Sequence, residues 1–274
     1  MILKQSTSRI GIFDSGVGGL SVLRAVKSVM PNLRTIYFAD QAHVPYGPRP
    51  MDEVRDFSKG ITQFLISRGS KVIVVACNTA SAAALVYLRD TFPDIPFVGM
   101  EPAVKPAAEQ TRTGVVGVLA TPATFQGALY ASVVERFASG VTVLQHTCPG
   151  LVAQIEKGEL DSIKTKQILE DALIPMLEKG IDTVVIGCTH YPFVIPLIEQ
   201  ICGSEVRVID PAPAVARQIQ RVLENRGITP ELIDGSESDY YSTGDPFELK
   251  TLISKLTGES FTVHKAQWNG LVVF

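Results

Sequence analysis

Short runs of β-branched and other apolar residues recur along the chain, separated by longer stretches with helical spacing. Ile10-Gly11-Ile12-Phe13 is continuously apolar and flanked by polar residues, as a strand buried on both faces should be. Thr35 to Ala39, Lys71 to Ala76, Val115 to Leu119, Val141 to Leu144, Thr183 to Ile186 and Val206 to Ile209 read the same way. Between them, Val17, Leu20, Leu23 and Val26 step by three before Pro31, and Val54, Phe57, Ile61 and Phe64 carry a similar stripe up to Gly69. Ser162 to Lys179 forms a third helical stretch, closed by Gly180 where a helix end favours glycine. This alternation, with strands too apolar to face water, predicts an α/β fold with mostly parallel sheet flanked by helices.

The pattern repeats on a larger scale. Ile10-Gly11-Ile12-Phe13-Asp14-Ser15 overlays Val116-Gly117-Val118-Leu119-Ala120-Thr121, and Val74-Val75-Ala76-Cys77-Asn78-Thr79 overlays Val185-Ile186-Gly187-Cys188-Thr189-His190, in the same order and at near-equal offsets. Chance similarity between apolar strands is the alternative. A true duplication predicts two pseudo-symmetric lobes, with the carboxyl ends of their strands facing a shared cleft, the edge where parallel sheets bind ligands.

Composition narrows the class. Of 274 residues, 46% are apolar and 19% charged, enough to bury a sizeable core. A net charge of −3 offers no basic field, so nucleic acid is not the expected partner. No apolar run reaches the ~18 residues of a membrane span. Met1 to Arg9 lacks the apolar core of a secretion signal, and four cysteines make no disulfide framework, so a cytoplasmic protein is expected.

Cys77 and Cys188 are the leading chemical candidates. Each ends a predicted strand and opens a helix-like segment: Asn78-Thr79-Ala80-Ser81 with capping candidates after Cys77, and Thr189-His190-Tyr191-Pro192 after Cys188. A thiol at a helix N-terminus is expected to have a lowered pKa, and His190 is a nearby proton partner. Burial as small apolar groups, a disulfide, or zinc are the competing readings. The last two are opposed by a reducing compartment and by the lack of metal-ligand spacing. Cys148 and Cys202 have no internal counterpart and read as packing residues.

Two like acid/base groups on opposite walls of a cleft suit inversion of a stereocentre, one removing the α-proton and the other returning it to the opposite face. The carbanion then needs stabilisation, for which Ser15, Thr79, Thr121, Thr124, Thr189 and the N–H groups of Tyr46-Gly47 are suitably placed in sequence. Asp14-Ser15-Gly16-Val17-Gly18-Gly19 invites a dinucleotide reading, with Asp40 as the ribose-binding acid, but Ser21 stands where the third glycine belongs. The same loop suits a substrate carboxylate, or simply a tight turn. Pro45-Tyr46-Gly47-Pro48 is a rigid loop after the second strand, either a binding loop or an ordinary turn.

At these residues the chain resembles glutamate racemase, of the cofactor-independent aspartate/glutamate racemase superfamily. The resemblance lies in Ile12-Phe13-Asp14-Ser15-Gly16-Val17-Gly18-Gly19-Leu20, Val44-Pro45-Tyr46-Gly47, Ala76-Cys77-Asn78-Thr79-Ala80-Ser81, Glu101-Pro102-Ala103-Val104-Lys105-Pro106, Gly187-Cys188-Thr189-His190-Tyr191-Pro192-Phe193 and Tyr241-Ser242-Thr243-Gly244-Asp245-Pro246. His190 favours the glutamate branch over aspartate racemases, which usually carry a carboxylate there. The resemblance implies interconversion of L- and D-glutamate without pyridoxal phosphate, metal or other cofactor, supplying D-glutamate for bacterial peptidoglycan. It makes Cys77 the base toward D-glutamate and Cys188 the base toward L-glutamate, with Asp14, His190 and Glu156 assisting the thiols. Ser15, Pro45, Tyr46, Gly47, Asn78, Thr79, Thr121, Thr124, Thr189 and His190 resemble the substrate contacts, with Asp14 beside them. One lobe is expected from residues 1–98 plus 211–274 and the other from 99–210. The family is often dimeric, which leaves a homodimer open. A racemase for another acid such as aspartate, and a sensory or nucleotide-binding protein, are the competing functional readings.

Overall fold

The computed structural model describes residues 9–231, 238–259 and 261–274; the first eight residues of the polar N-terminal stretch lie outside them. The chain opens with β1 (Arg9–Asp14), α1 (Leu20–Val29), β2 (Thr35–Ala39), α2 (Met51–Ser67), β3 (Ser70–Val75), α3 (Asn78–Thr91) and β4 (Phe97–Gly99). It continues with α4 (Val104–Gln110), β5 (Val115–Ala120), α5 (Pro122–Gln126), α6 (Ala128–Phe137), β6 (Thr142–His146), α7 (Leu151–Glu156), α8 (Ile163–Glu178) and β7 (Thr183–Gly187). A 3-10 turn over Tyr191–Val194 leads into α9 (Ile195–Cys202) and β8 (Arg207–Ile209). The C-terminal part adds α10 (Ala212–Arg226), β9 (Asp239–Ser242), α11 (Pro246–Thr257), β10 (Val263–Lys265) and a hairpin of β11 (Trp268–Asn269) and β12 (Val272–Val273).

Two parallel sheets result, in the orders β10-β9-β2-β1-β3-β4 and β6-β5-β7-β8. The order β2-β1-β3-β4 in the first sheet matches β6-β5-β7-β8 in the second. Even the register repeats: Ile12 lies opposite Val74 and Val118 opposite Val185, the pairs that the sequence overlays. The α/β architecture with two similar sheets is therefore the observed one.

Alternation along the strands explains why they are apolar throughout. In the first sheet Ile10, Ile12, Tyr37, Val72 and Val74 pack with the α1 stripe Leu20, Leu23 and Val26 and with Val215 and Ile219 of α10. Their neighbours Phe13, Ile36, Phe38, Ile73 and Val75 pack with Val54, Phe57, Ile61 and Phe64 of α2. Each such side chain, removed from water, contributes about 1.5–3 kcal/mol. α8 is capped by Ser162, whose hydroxyl accepts the Thr165 N–H at 3.2 Å, and is followed by Gly180 at φ +81°.

Two differences from the sequence reading stand out. β6 is an edge strand and is only partly buried, so its side chains need not be apolar on both faces. β9 and β10 extend the first sheet beyond β2, but four- and three-residue strands are too short for a periodic signal. Among the described residues, no helix is long and apolar enough to cross a membrane.

Candidate active site

The loops after β1, β2 and β3 in one sheet, and after β5, β6 and β7 in the other, enclose a cavity of about 300 Å³. On one side stand Ser15, Pro45, Tyr46, Gly47, Cys77, Asn78 and Thr79, and on the other Thr121, Cys188, Thr189 and His190. Asp14, Glu156 and Thr124 are not in the cavity wall but act on residues that are. All four cysteines are free thiols, so Cys77 and Cys188 are not joined to each other.

Cys77 occupies the cap position of α3 with extended backbone and no side-chain capping hydrogen bond, and the nearby Ala80 N–H favours its thiolate. The lowered pKa expected of that position is not what the structure produces. Burial first, and then the neighbouring Asp14 carboxylate, outweigh the Ala80 N–H and hold the Cys77 thiol well above its ordinary value. Nor do the residues after Cys77 cap the helix. The Thr79 hydroxyl lies 2.8 Å from that of Thr121, and the buried Asn78 amide has neither oxygen nor nitrogen paired within the protein. Leaving such a group unsatisfied costs about 1–3 kcal/mol, so Asn78 is poised for a polar ligand.

Cys188 has different support. No α-helix begins beside it, because Pro192 opens a 3-10 turn and α9 starts only at Ile195. Its partner is the imidazole: His190 Nδ1 lies 3.9 Å from Cys188 Sγ, while His190 Nε2 donates to Glu156 Oε1 at 2.6 Å. Burial disfavours the imidazolium, but Cys188, Glu156 and Asp14 outweigh it, and the His190 pKa stands well above its ordinary value of 6.5.

The glycine-rich loop is built around these groups. Glu156 Oε1 accepts the Val17 N–H at 2.8 Å, and Asp14 Oδ2 accepts the Gly16 N–H at 3.0 Å. A side chain at position 16 would run into Glu156, and one at position 18 into His190 and Thr189. The space that a dinucleotide pyrophosphate would need is thus occupied by the protein's own carboxylate and imidazole. Asp40 is likewise unavailable to a ribose, since its buried carboxylate already accepts from Tyr46, His43, Thr243 and Trp268. These two observations correct the dinucleotide reading.

Hydroxyls stitch the two halves together at the cavity. Thr121 lies between Thr79 at 2.8 Å and Thr124 at 2.9 Å, and the Thr189 hydroxyl donates to Asp14 Oδ1 at 3.3 Å. The turn after β6 adds Thr147, Cys148, Pro149 and Gly150 to the cavity wall, and Tyr191 joins them beside His190, none of which the sequence marks as site residues. Cys148, read as packing, is both buried and in the cavity wall, its thiol pushed up to about 12 by burial and by Cys188. The Pro-Gly pair following a strand was the available signal. Cys202 is a packing residue of the core.

Residues 20–219 match the Asp/Glu/hydantoin racemase family. The chain is 50% identical over 254 residues to the glutamate racemase of Roseiflexus sp. (strain RS-1), covering 92% of this chain and 93% of that one. The solved glutamate racemase of Escherichia coli, in complex with L-glutamate and the activator UDP-MurNAc-Ala, is 30% identical with a TM-score of 0.84, covering 98% of this chain and 99% of that one. That of Francisella tularensis, in complex with D-glutamate, is 27% identical with a TM-score of 0.82, covering 96% of this chain and 98% of that one. The two-sheet fold is thus that of an amino-acid racemase. The chain belongs to the Asp/Glu/hydantoin racemase family, and these relatives within it are glutamate racemases.

Proposed function

We propose that the protein interconverts L- and D-glutamate with Cys77 and Cys188 as its two proton carriers and without pyridoxal phosphate or metal, supplying D-glutamate for peptidoglycan in the cytoplasm. The observation that carries this reading is one free thiol from each sheet's β-strand end on the wall of a single small cavity. In the L-to-D direction the Cys188 thiolate takes the α-proton and becomes a thiol. Cys77 gives its proton to the opposite face of the carbanion and becomes a thiolate. The reverse direction exchanges the roles, as microscopic reversibility requires.

The surroundings support this assignment. A Cys77 thiol held protonated by burial and by Asp14 is ready to act as the acid. The His190 imidazolium, kept charged by Glu156, offers positive charge beside the Cys188 thiolate. The α-carbon is a weak acid, so charge building on the substrate carboxylate must be met by preorganised donors. Ser15, Asn78, Thr79, Thr121, Thr189 and the Tyr46-Gly47 loop supply them in this reading, with Pro45 shaping the loop and Thr124 orienting Thr121.

The test is incubation of purified protein with L-glutamate in D₂O without added cofactor, following optical rotation and α-deuterium together. Loss of rotation with one deuterium per inverted molecule is the expected result. Exchange with aspartate but not glutamate would replace the substrate assignment, and folded protein silent toward both acids would overturn the reading.

A further inference from the structure

Asp40 follows β2 and is fully buried, yet it is neither in the cavity wall nor in contact with a thiol. Its carboxylate gathers four donors. Oδ2 accepts from the Tyr46 hydroxyl at 2.6 Å and from His43 Nδ1 at 2.9 Å, and Oδ1 accepts from the Trp268 indole at 2.7 Å and the Thr243 hydroxyl at 2.8 Å. An ionised carboxylate has about four accepting positions, so this one is saturated. A saturated buried acid is a bracket between chain segments rather than a ligand site.

The segments it joins make the bracket consequential. Tyr46 belongs to the loop that forms one wall of the cavity, and the adjacent Gly47 sits so close to Thr121 that a Cβ there would come within 3.1 Å of the Thr121 Cβ. The position of this loop therefore sets the width of the cavity between the two halves. Trp268 lies in β11, outside the cavity, with its ring against Phe57 and His43. It also rests on α2 at Gly60, where an added Cβ would meet Trp268 Cζ3 at 2.7 Å and the Leu271 carbonyl oxygen at 2.6 Å. A glycine in the middle of a helix is less favourable than alanine, and here it lets the C-terminal hairpin approach.

We propose that Asp40 is a positioning residue that fixes the Tyr46-Gly47 wall of the cavity through the Tyr46 hydroxyl and ties that wall to the C-terminal hairpin through the Trp268 indole. The hairpin thereby sets how tightly substrate is held although it touches no substrate. This rests on the cavity being the glutamate site.

The experiment compares wild type with Asp40→Asn, Tyr46→Phe, Trp268→Phe and Gly60→Ala, measuring kcat, KM for glutamate and thermal midpoint for each. Trp268→Phe keeps an aromatic ring but removes the indole donor together with part of the ring system, and Gly60→Ala displaces the hairpin without altering any hydrogen-bonding group. Both should raise KM threefold or more while kcat falls by less than half. Because one carboxylate links them, the Tyr46→Phe/Trp268→Phe double variant should raise KM by less than the product of the single increases. Asp40→Asn should raise KM most, and should it fail to fold, the other variants still decide. A lowered midpoint with unchanged KM in Trp268→Phe and Gly60→Ala would reduce Asp40 to a structural role and overturn the proposal. Multiplicative KM effects in the double variant would overturn the coupling. Wild-type protein inert toward glutamate would remove both this proposal and the function it rests on, whereas active wild type with unmoved KM in the variants would remove this one alone.

Discussion

Cys77 and Cys188 end equivalent strands in the two sheets, yet the protein surrounds them with opposite electrostatics. Around Cys77 stand a carboxylate, Asp14, and the first turn of a helix whose Ala80 N–H favours the thiolate; burial and the carboxylate prevail and the thiol keeps its proton. Around Cys188 the helix is displaced by a 3-10 turn, and an imidazole backed by Glu156 takes its place. Repetition of the fold brings two sulfurs to one cavity. The unlike neighbours, Asp14 on one side and His190 with Glu156 on the other, then place the two sulfurs in different electrostatic surroundings. For a racemase reading this is apt, because at any moment one carrier must be acid and the other base.

The comparison is tested most severely by removing each sulfur. Cys77→Ser and Cys188→Ser are each expected to lower racemisation about a thousandfold or more, since a hydroxyl is a far weaker acid/base group than a thiol. Near-normal turnover of either variant in both directions, followed by circular dichroism, would break the opposed-thiol mechanism. A finer test removes only the charge behind His190. Glu156→Gln keeps an accepting oxygen for the Val17 N–H but loses the charged bond to His190. A charge-assisted bond worth roughly 1.5–3 kcal/mol predicts about a ten- to hundredfold loss of kcat/KM. The loss must be equal from either enantiomer, whose free energies in water are the same. Initial rates from both substrates check this, and unchanged rates would leave Glu156 without a part in the reaction.

The smallest effect is on stability against pH. A folded-state pKa for His190 above 6.5 means that the folded protein keeps a proton which the unfolded chain releases. The stabilisation is complete below about pH 6.5 and fades as pH rises through the raised value, at no more than ~1.4 kcal/mol per pH unit. Cys77, with the buried Cys148 and Cys202 thiols, adds a second fall of the same sign once the pH exceeds the ordinary thiol value of 9.0. Urea unfolding across pH 6 to 10 should show both falls in wild type and only the second in His190→Gln. A first fall that survives in the variant would assign it to another group.

The repeated strand pairs and the two cysteines were legible because both are local: a run of apolar residues ending in Cys and a polar pair carries its own signature. The sequence does not distinguish a 3-10 turn from an α-helix after Cys188, because proline suits the start of either. The raised pKa of the Cys77 thiol is not legible in sequence, where the helix N-terminus is visible but burial and the approach of Asp14, many residues away, are not. Asp40 looked like a ribose acid for the same reason, its four donors coming from as far along the chain as Trp268.

Strand and helix alternation, the doubling of the pattern and the two reactive residue types follow from the amino-acid order alone, since backbone sterics and side-chain periodicity act over neighbouring residues. The cavity, its hydroxyl seam and the contrast between the two thiols exist only after folding. Desolvation and Coulomb interactions depend on distance through space, and Asp14, Glu156, Thr121 and Trp268 reach their partners only across the folded molecule.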